Sequence, residues 1–63
     1  MRYRAELFNK SIVIESDSDV GWYIYVYDGQ RCVQDYMQDS LESAKLFIQE
    51  KLGFSGLEWR EYE

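Results

Sequence analysis

Two alternating stretches joined by Asp28-Gly29 constrain this chain more than anything else in it. Residues 20–27 (VGWYIYVY) precede the pair and residues 30–37 (QRCVQDYM) follow it. A two-residue hairpin loop of type I′ needs positive φ at both central positions, which Gly adopts freely and Asp tolerates. Such a loop sets a register. Tyr27 falls opposite Gln30, Tyr25 opposite Cys32, Tyr23 opposite Gln34 and Gly21 opposite Tyr36, while Val26 meets Arg31, Ile24 meets Val33, Trp22 meets Asp35 and Val20 meets Met37. Side chains alternate across a strand. One face therefore reads Val20, Trp22, Ile24, Val26, Val33 and Met37, a core surface. The other reads Tyr23, Tyr25, Tyr27, Tyr36, Cys32, Gln30 and Gln34, apolar in body and polar at the tip.

The flanking segments say what can cover these faces. Between Arg2 and Phe8, Tyr3, Ala5 and Leu7 alternate with Arg4, Glu6 and Phe8, and residues 12–15 (IVIE) are β-branched. Both read as strands. Asn9 and Ser11 interrupt them, so residues 2–15 form either a hairpin or one long strand with a bulge. Residues 15–19 (ESDSD) form an acidic loop. Its spacing lacks the glycine and flanking helices of an EF-hand, so it reads as a solvated connection between strands. Residues 40–52 carry the helix signature. Asp39 and Glu42 suit a capping box, Gly53 suits the left-handed position beyond the last turn, and Leu41, Ala44, Ile48 and Leu52 form one stripe with Phe47 beside it. Leu46 projects off that stripe, either as a single exposed leucine or as a partner contact. Residues 57–62 alternate again and predict a short strand at a sheet edge, where Glu58, Arg60, Glu61 and Glu63 discourage pairing with other chains.

The expected architecture is a single α+β domain over residues 1–63. It has two layers: an antiparallel meander of three to four strands, one helix over about residues 40–52 on one face, and a short C-terminal strand. One helix covers one face of a sheet, which leaves the tyrosine face over.

Composition narrows the function classes. The chain has 63 residues and no histidine, which removes the usual general base near neutral pH and most metal sites. Cys32 is the only cysteine and is flanked in the expected register by tyrosines and glutamines, so it lacks the cationic setting of a nucleophile. It cannot form an internal disulfide, which favours a reducing, cytoplasmic setting. No phosphate-binding glycine loop or zinc spacing is present, and no cofactor or metal is expected. Asp35, Asp39 and Glu42 converge near the sheet-to-helix junction, but a domain this small has little room for a cleft that tunes carboxylates. The chain therefore reads as a non-enzyme. No apolar run approaches the roughly 20 residues of a membrane span. With 12 acidic and 7 basic residues the net charge is −5, which argues against nucleic acid as partner and suits a protein with a basic surface. Solubility alone also accounts for such a charge.

The tyrosine face is the candidate site. Tyrosine buries much area, orders few torsions and keeps a hydrogen-bonding tip, which favours it in interfaces. It is also simply a good strand residue. The expected partner-binding set is Tyr23, Tyr25, Tyr27, Tyr36 and Gln34, with Asp17, Asp19 and Asp28 as steering charges. The partner is a larger protein whose basic surface the domain occludes, or a second copy in a homodimer. A single-stranded RNA binder is the third reading, since aromatic-faced sheets stack bases.

Residues 12–52 resemble the N-terminal domain of HicB-type antitoxins. The likeness lies in a strand, an acidic loop, the Gly21-Trp22-Tyr23 strand, a third strand, and Ser40-Leu41-Glu42 with Ala44 opening the helix. That resemblance implies a partial RNase H-like fold without RNase activity that binds a small basic toxin. The segment before the third strand departs from the family pattern: Tyr27 to Cys32 stands where a proline-containing segment is usual, and no DNA-binding region follows. In size, acidity and layout the chain is also similar to small phage-encoded anti-defence proteins, including anti-CRISPR proteins.

Overall fold

A computed structural model of the chain describes residues 1–17, 19 and 21–62. The elements follow the order β1 (Arg2–Leu7), β2 (Lys10–Asp17), β3 (Gly21–Asp28), β4 (Arg31–Gln38), α1 (Leu41–Glu50) and β5 (Arg60–Tyr62). The five strands form one antiparallel sheet in the order β4-β3-β2-β1-β5. The fold is thus α+β, a meander with a helix packed on one face. The final strand lies at the sheet edge as expected. It is confined to three residues; Leu57 and Trp59 precede it and pack against the core.

Residues 2–17 resolve into a hairpin. Leu7 pairs with Lys10, so Phe8-Asn9 is a two-residue loop. Phe8 adopts φ 57° and is 98% exposed. A left-handed backbone costs an L-residue about 1–2 kcal/mol, and an exposed ring recovers none of it through packing. Phe8→Gly should therefore stabilise the protein by about 0.5–1 kcal/mol, after the extra chain entropy of glycine is subtracted. Thermal melting checks this; a lower melting temperature would show that the ring is packed. The neighbouring hairpin tip is tied to this one. The Gly29 amide donates to the Asn9 carbonyl at 3.0 Å and Asn9 Nδ2 to Asp28 Oδ1 at 3.1 Å.

The β3–β4 hairpin departs from the expected register in two ways. The loop is Gly29-Gln30, one residue later than Asp28-Gly29, with Asp28 paired to Arg31. Positive φ occurs at Gly29 (67°) and not at Asp28 or Gln30, the sign pattern of a type II′ turn rather than I′. The pairing then slips. Tyr27 faces Cys32 but Val26 faces Gln34, so Val33 is an additional residue in β4, a β-bulge. The later turn preserves which side chains share a face; the bulge reverses it from Gln34 onward. Gln34 and Tyr36 therefore stand on the helix side, opposite Val26 and Ile24, and Asp35 and Met37 join the tyrosines. Val33 itself is 45% exposed rather than core. The expected pairing of Val20 with Met37 lies outside the described residues; Met37 pairs with Tyr23. Glu63 and Ser18 also lie outside them.

The core lies between the sheet and the helix. Ile12, Ile14, Ile24 and Val26 from the central strands meet Ala44 and Ile48 of α1, all 2% exposed or less. Full burial of such a side chain is worth about 1.5–3 kcal/mol. Leu41, Phe47 and Leu52 flank this cluster, as the stripe predicts, and Leu46 is exposed. The N-cap is Ser40 rather than Asp39: Ser40 is extended (φ −144°, ψ 164°), and its Oγ accepts from the Ser43 amide at 3.0 Å. Gly53 (φ 79°) reverses the chain after the helix. Phe54, Leu57 and Trp59 then extend the cover over the same side of the sheet. Tyr36 closes the β4 end of the core, its ring 4.8 Å from that of Phe47.

Candidate interaction face

The side of the sheet away from α1 carries no covering element among the described residues. Its layout follows from the pairing, since directly opposed residues share a face. The central row runs Arg60, Arg4, Val13, Tyr25 and Asp35 from β5 to β4. The next row runs Tyr62, Arg2, Glu15, Tyr23 and Met37. Toward the hairpin tips come Glu6, Ser11, Tyr27 and Cys32. The face is thus divided: arginines on the β1–β5 margin, three tyrosines along β3, and acid on β4.

Local contacts hold these side chains in place. The Tyr23 and Tyr25 rings stack with centroids 6.1 Å apart and planes at 25°. Arg4 lies down on the sheet, its Nη2 donating to Ser11 Oγ at 3.1 Å and its Nε to Glu6 Oε2 at 3.2 Å. Arg2 pairs with Glu15 at 3.7 Å. Val13, between Arg4 and Tyr25, is only 4% exposed although no helix lies over it. Arg4, Glu6, Glu58, Arg60 and Tyr62 line a groove of about 300 Å³ along β1 and β5. Met37 is 47% exposed beside Tyr23.

Tyr25 sits at the centre, and its phenol is held above the ordinary tyrosine value. Partial burial is the main cause; the negative charges of Glu15 and Asp35 and the neighbouring Tyr23 and Tyr27 act the same way. A raised phenol has a definite consequence for stability. Below about pH 10 the group is neutral in folded and unfolded chains alike, so nothing is lost. Above it the unfolded chain releases its proton while Tyr25 in the folded protein retains it, and stability falls as pH rises toward the folded value. Melting temperatures between about pH 9 and 11 should drop less for Tyr25→Phe than for the wild type. Equal slopes would mean that Tyr25 is solvated like a free tyrosine.

The sequence-predicted set divides accordingly. Tyr23, Tyr25 and Tyr27 share the open face. Tyr36 and Gln34 do not, because the bulge turns them to the helix side. Asp17 ends β2 in line with Val13 and Glu15, its Oδ1 accepting from the Asp19 amide at 2.9 Å, which places both acids at one end of the face. Asp28 lies on the Val26 side at the opposite end, where Asn9 and, at 3.9 Å, Lys10 meet its carboxylate, so it does not stand on the tyrosine face. Arg4, Arg60, Tyr62, Asp35 and Met37 belong to the face and are absent from the predicted set. For Arg4, Arg60 and Tyr62 the signal was there, in their alternation with Tyr3, Ala5, Leu57 and Trp59. Comparison with protein-family models, curated proteins and solved structures gives no match to this chain.

Proposed function

We propose that the protein is a non-enzymatic protein-binding module of the inhibitor kind, antitoxin-like or anti-defence-like, which occludes a surface of a larger partner. The observation that supports this is the uncovered row Tyr23, Tyr25 and Tyr27, set between Arg4, Arg60 and Met37 on one sheet. Tyrosine, arginine and methionine are the side chains enriched at interface centres and hot spots. Glu15, Asp17, Asp19 and Asp35 suit a basic ground on the partner, and the arginine margin suits acids at its rim. The charges speed and orient the encounter, and the buried tyrosines slow release. The resemblance of residues 12–52 to HicB-type antitoxin domains points the same way by analogy.

The test is capture from cells that make the protein, comparing wild type with Tyr23→Ala/Tyr27→Ala after circular dichroism shows the variant folded. A protein partner retained by the wild type should be lost at least tenfold, since hot-spot truncations cost about 2 kcal/mol or more. Undiminished capture by the variant places the binding surface elsewhere. A second reading, single-stranded RNA binding, draws on Arg2, Arg4 and Arg60 standing on the same face as the tyrosines, across β2 from them. It predicts oligonucleotide binding that weakens steeply with salt. Glu6, Glu15 and Asp35 on the same face oppose it.

A further inference from the structure

We infer that the open face is built to receive a second copy of itself, forming an isologous sheet-on-sheet homodimer. The inference rests on reading this face as a protein interface and names its first occupant. A homodimer with two-fold symmetry apposes one patch to itself, so the patch must be complementary to its own image. The central row meets that requirement. It reads Arg60, Arg4, Val13, Tyr25, Asp35 across five strands with β2 in the middle. A two-fold axis running along β2 lays β5 of one copy over β4 of the other and β1 over β3. Arg60 then meets Asp35 of the second copy, and Arg4 meets the Tyr25 ring. Both contacts occur twice, and both are attractive, an ion pair and a cation over an aromatic face. In the adjacent row the same operation brings Arg2 over Tyr23 and Tyr62 over Met37. It also sets Glu15 and, at the strand end, Asp17 against their own images, a like-charge contact that Arg2, 3.7 Å from Glu15, offsets in part.

Along the central row, charge favours this axis over the alternative. A two-fold axis across the strands would stack the arginine margin on the arginine margin, and Asp35 on Asp35. Packed sheets cross at about 30°, which displaces the margins by roughly 5 Å, a shift that a long arginine side chain accommodates. Arg4 is already laid flat by Ser11 and Glu6, so its guanidinium loses little freedom on stacking. The area sets the strength. Five strands about 4.8 Å apart, with about six residues each at about 3.4 Å, make a face of roughly 500 Å². Two such faces bury about 1,000 Å², the lower end of specific interfaces, so the dimer is reversible and concentration-dependent. A larger partner claiming the same face competes with the second copy, and concentrating the protein masks the site.

The test is sedimentation of the wild type and three variants from about 10 to 500 µM, each verified as folded by circular dichroism. The wild type should shift from monomer to dimer. Arg60→Asp and Asp35→Arg each set like charges together across the interface and should weaken the dimer at least tenfold. Arg60→Asp/Asp35→Arg restores opposite charges within its own dimer and should recover association. Mixing the two single variants should give a heterodimer, because every charge pair between them is again opposite. A wild type that stays monomeric throughout overturns the inference, as does a dimer indifferent to both reversals or one the double variant fails to restore. Partner capture is a separate readout, so a monomeric wild type that still captures its partner through Tyr23 and Tyr27 leaves the inhibitor reading standing.

Discussion

Replacing Gly21 by alanine is expected to unfold most of the protein at room temperature. Gly21 opens β3 with φ 139°, a backbone conformation that L-residues rarely adopt, and a Cβ built on it falls 2.6 Å from the Gln38 carbonyl oxygen. That neighbour is backbone at the end of β4 and cannot rotate away. Overpacking and backbone strain each cost about 1–3 kcal/mol, so together about 3 kcal/mol or more is lost. A single core in a domain below about 70 residues rarely supplies more than about 3–5 kcal/mol. Urea denaturation should show a folded baseline that is shortened or missing, with the melting temperature lowered by about 15 °C or more where a transition persists. A wild-type melt would mean that the β4 end shifts to accommodate the methyl group.

The second large effect separates two tyrosines that the sequence alone puts together. Tyr36→Ala removes a ring packed on Phe47 at 4.8 Å and standing opposite Ile24, and should cost about 2–3 kcal/mol. Tyr23→Ala removes a ring from the uncovered face and should cost less than about 1 kcal/mol. Chemical denaturation of the two variants side by side is enough. The reverse order would restore the unbulged register, with Tyr36 on the open face and Met37 in the core.

That contrast shows where the chain was legible. The stripe of Leu41, Ala44 and Ile48 was readable because a helix repeats its pattern turn by turn, and packing on the sheet obeys that repeat. The helix ends at Glu50 rather than near residue 52, and Leu52 packs from the turn that follows. The alternation of Tyr3, Ala5 and Leu7 was readable for the same reason with a period of two. The bulge was not, because Val33 carries no signature; a β-branched residue in a β-rich stretch looks like one more regular position. One additional residue in β4 moved Gln34, Tyr36, Asp35 and Met37 to the opposite faces. The Phe8-Asn9 turn was hidden because its left-handed position holds a phenylalanine rather than a glycine. Phe54, Leu57 and Trp59 cover the core from irregular chain, which has no period to detect. The tyrosine row survived because Tyr23, Tyr25 and Tyr27 lie within one strand, upstream of the slip.

The order β4-β3-β2-β1-β5 also has a kinetic meaning. The first four strands pair with their sequence neighbours through short connections, so their hairpins close at small entropic cost and form early. β5 is different. It pairs with β1, Arg2 against Tyr62 and Arg4 against Arg60, across nearly the whole chain, and holds only three residues. It is therefore the last strand to dock and the first to leave, opening locally while the meander stays intact. Each opening uncovers the free edge of β1, where Arg2 and Arg4 stand as charged guards against the edge of another molecule.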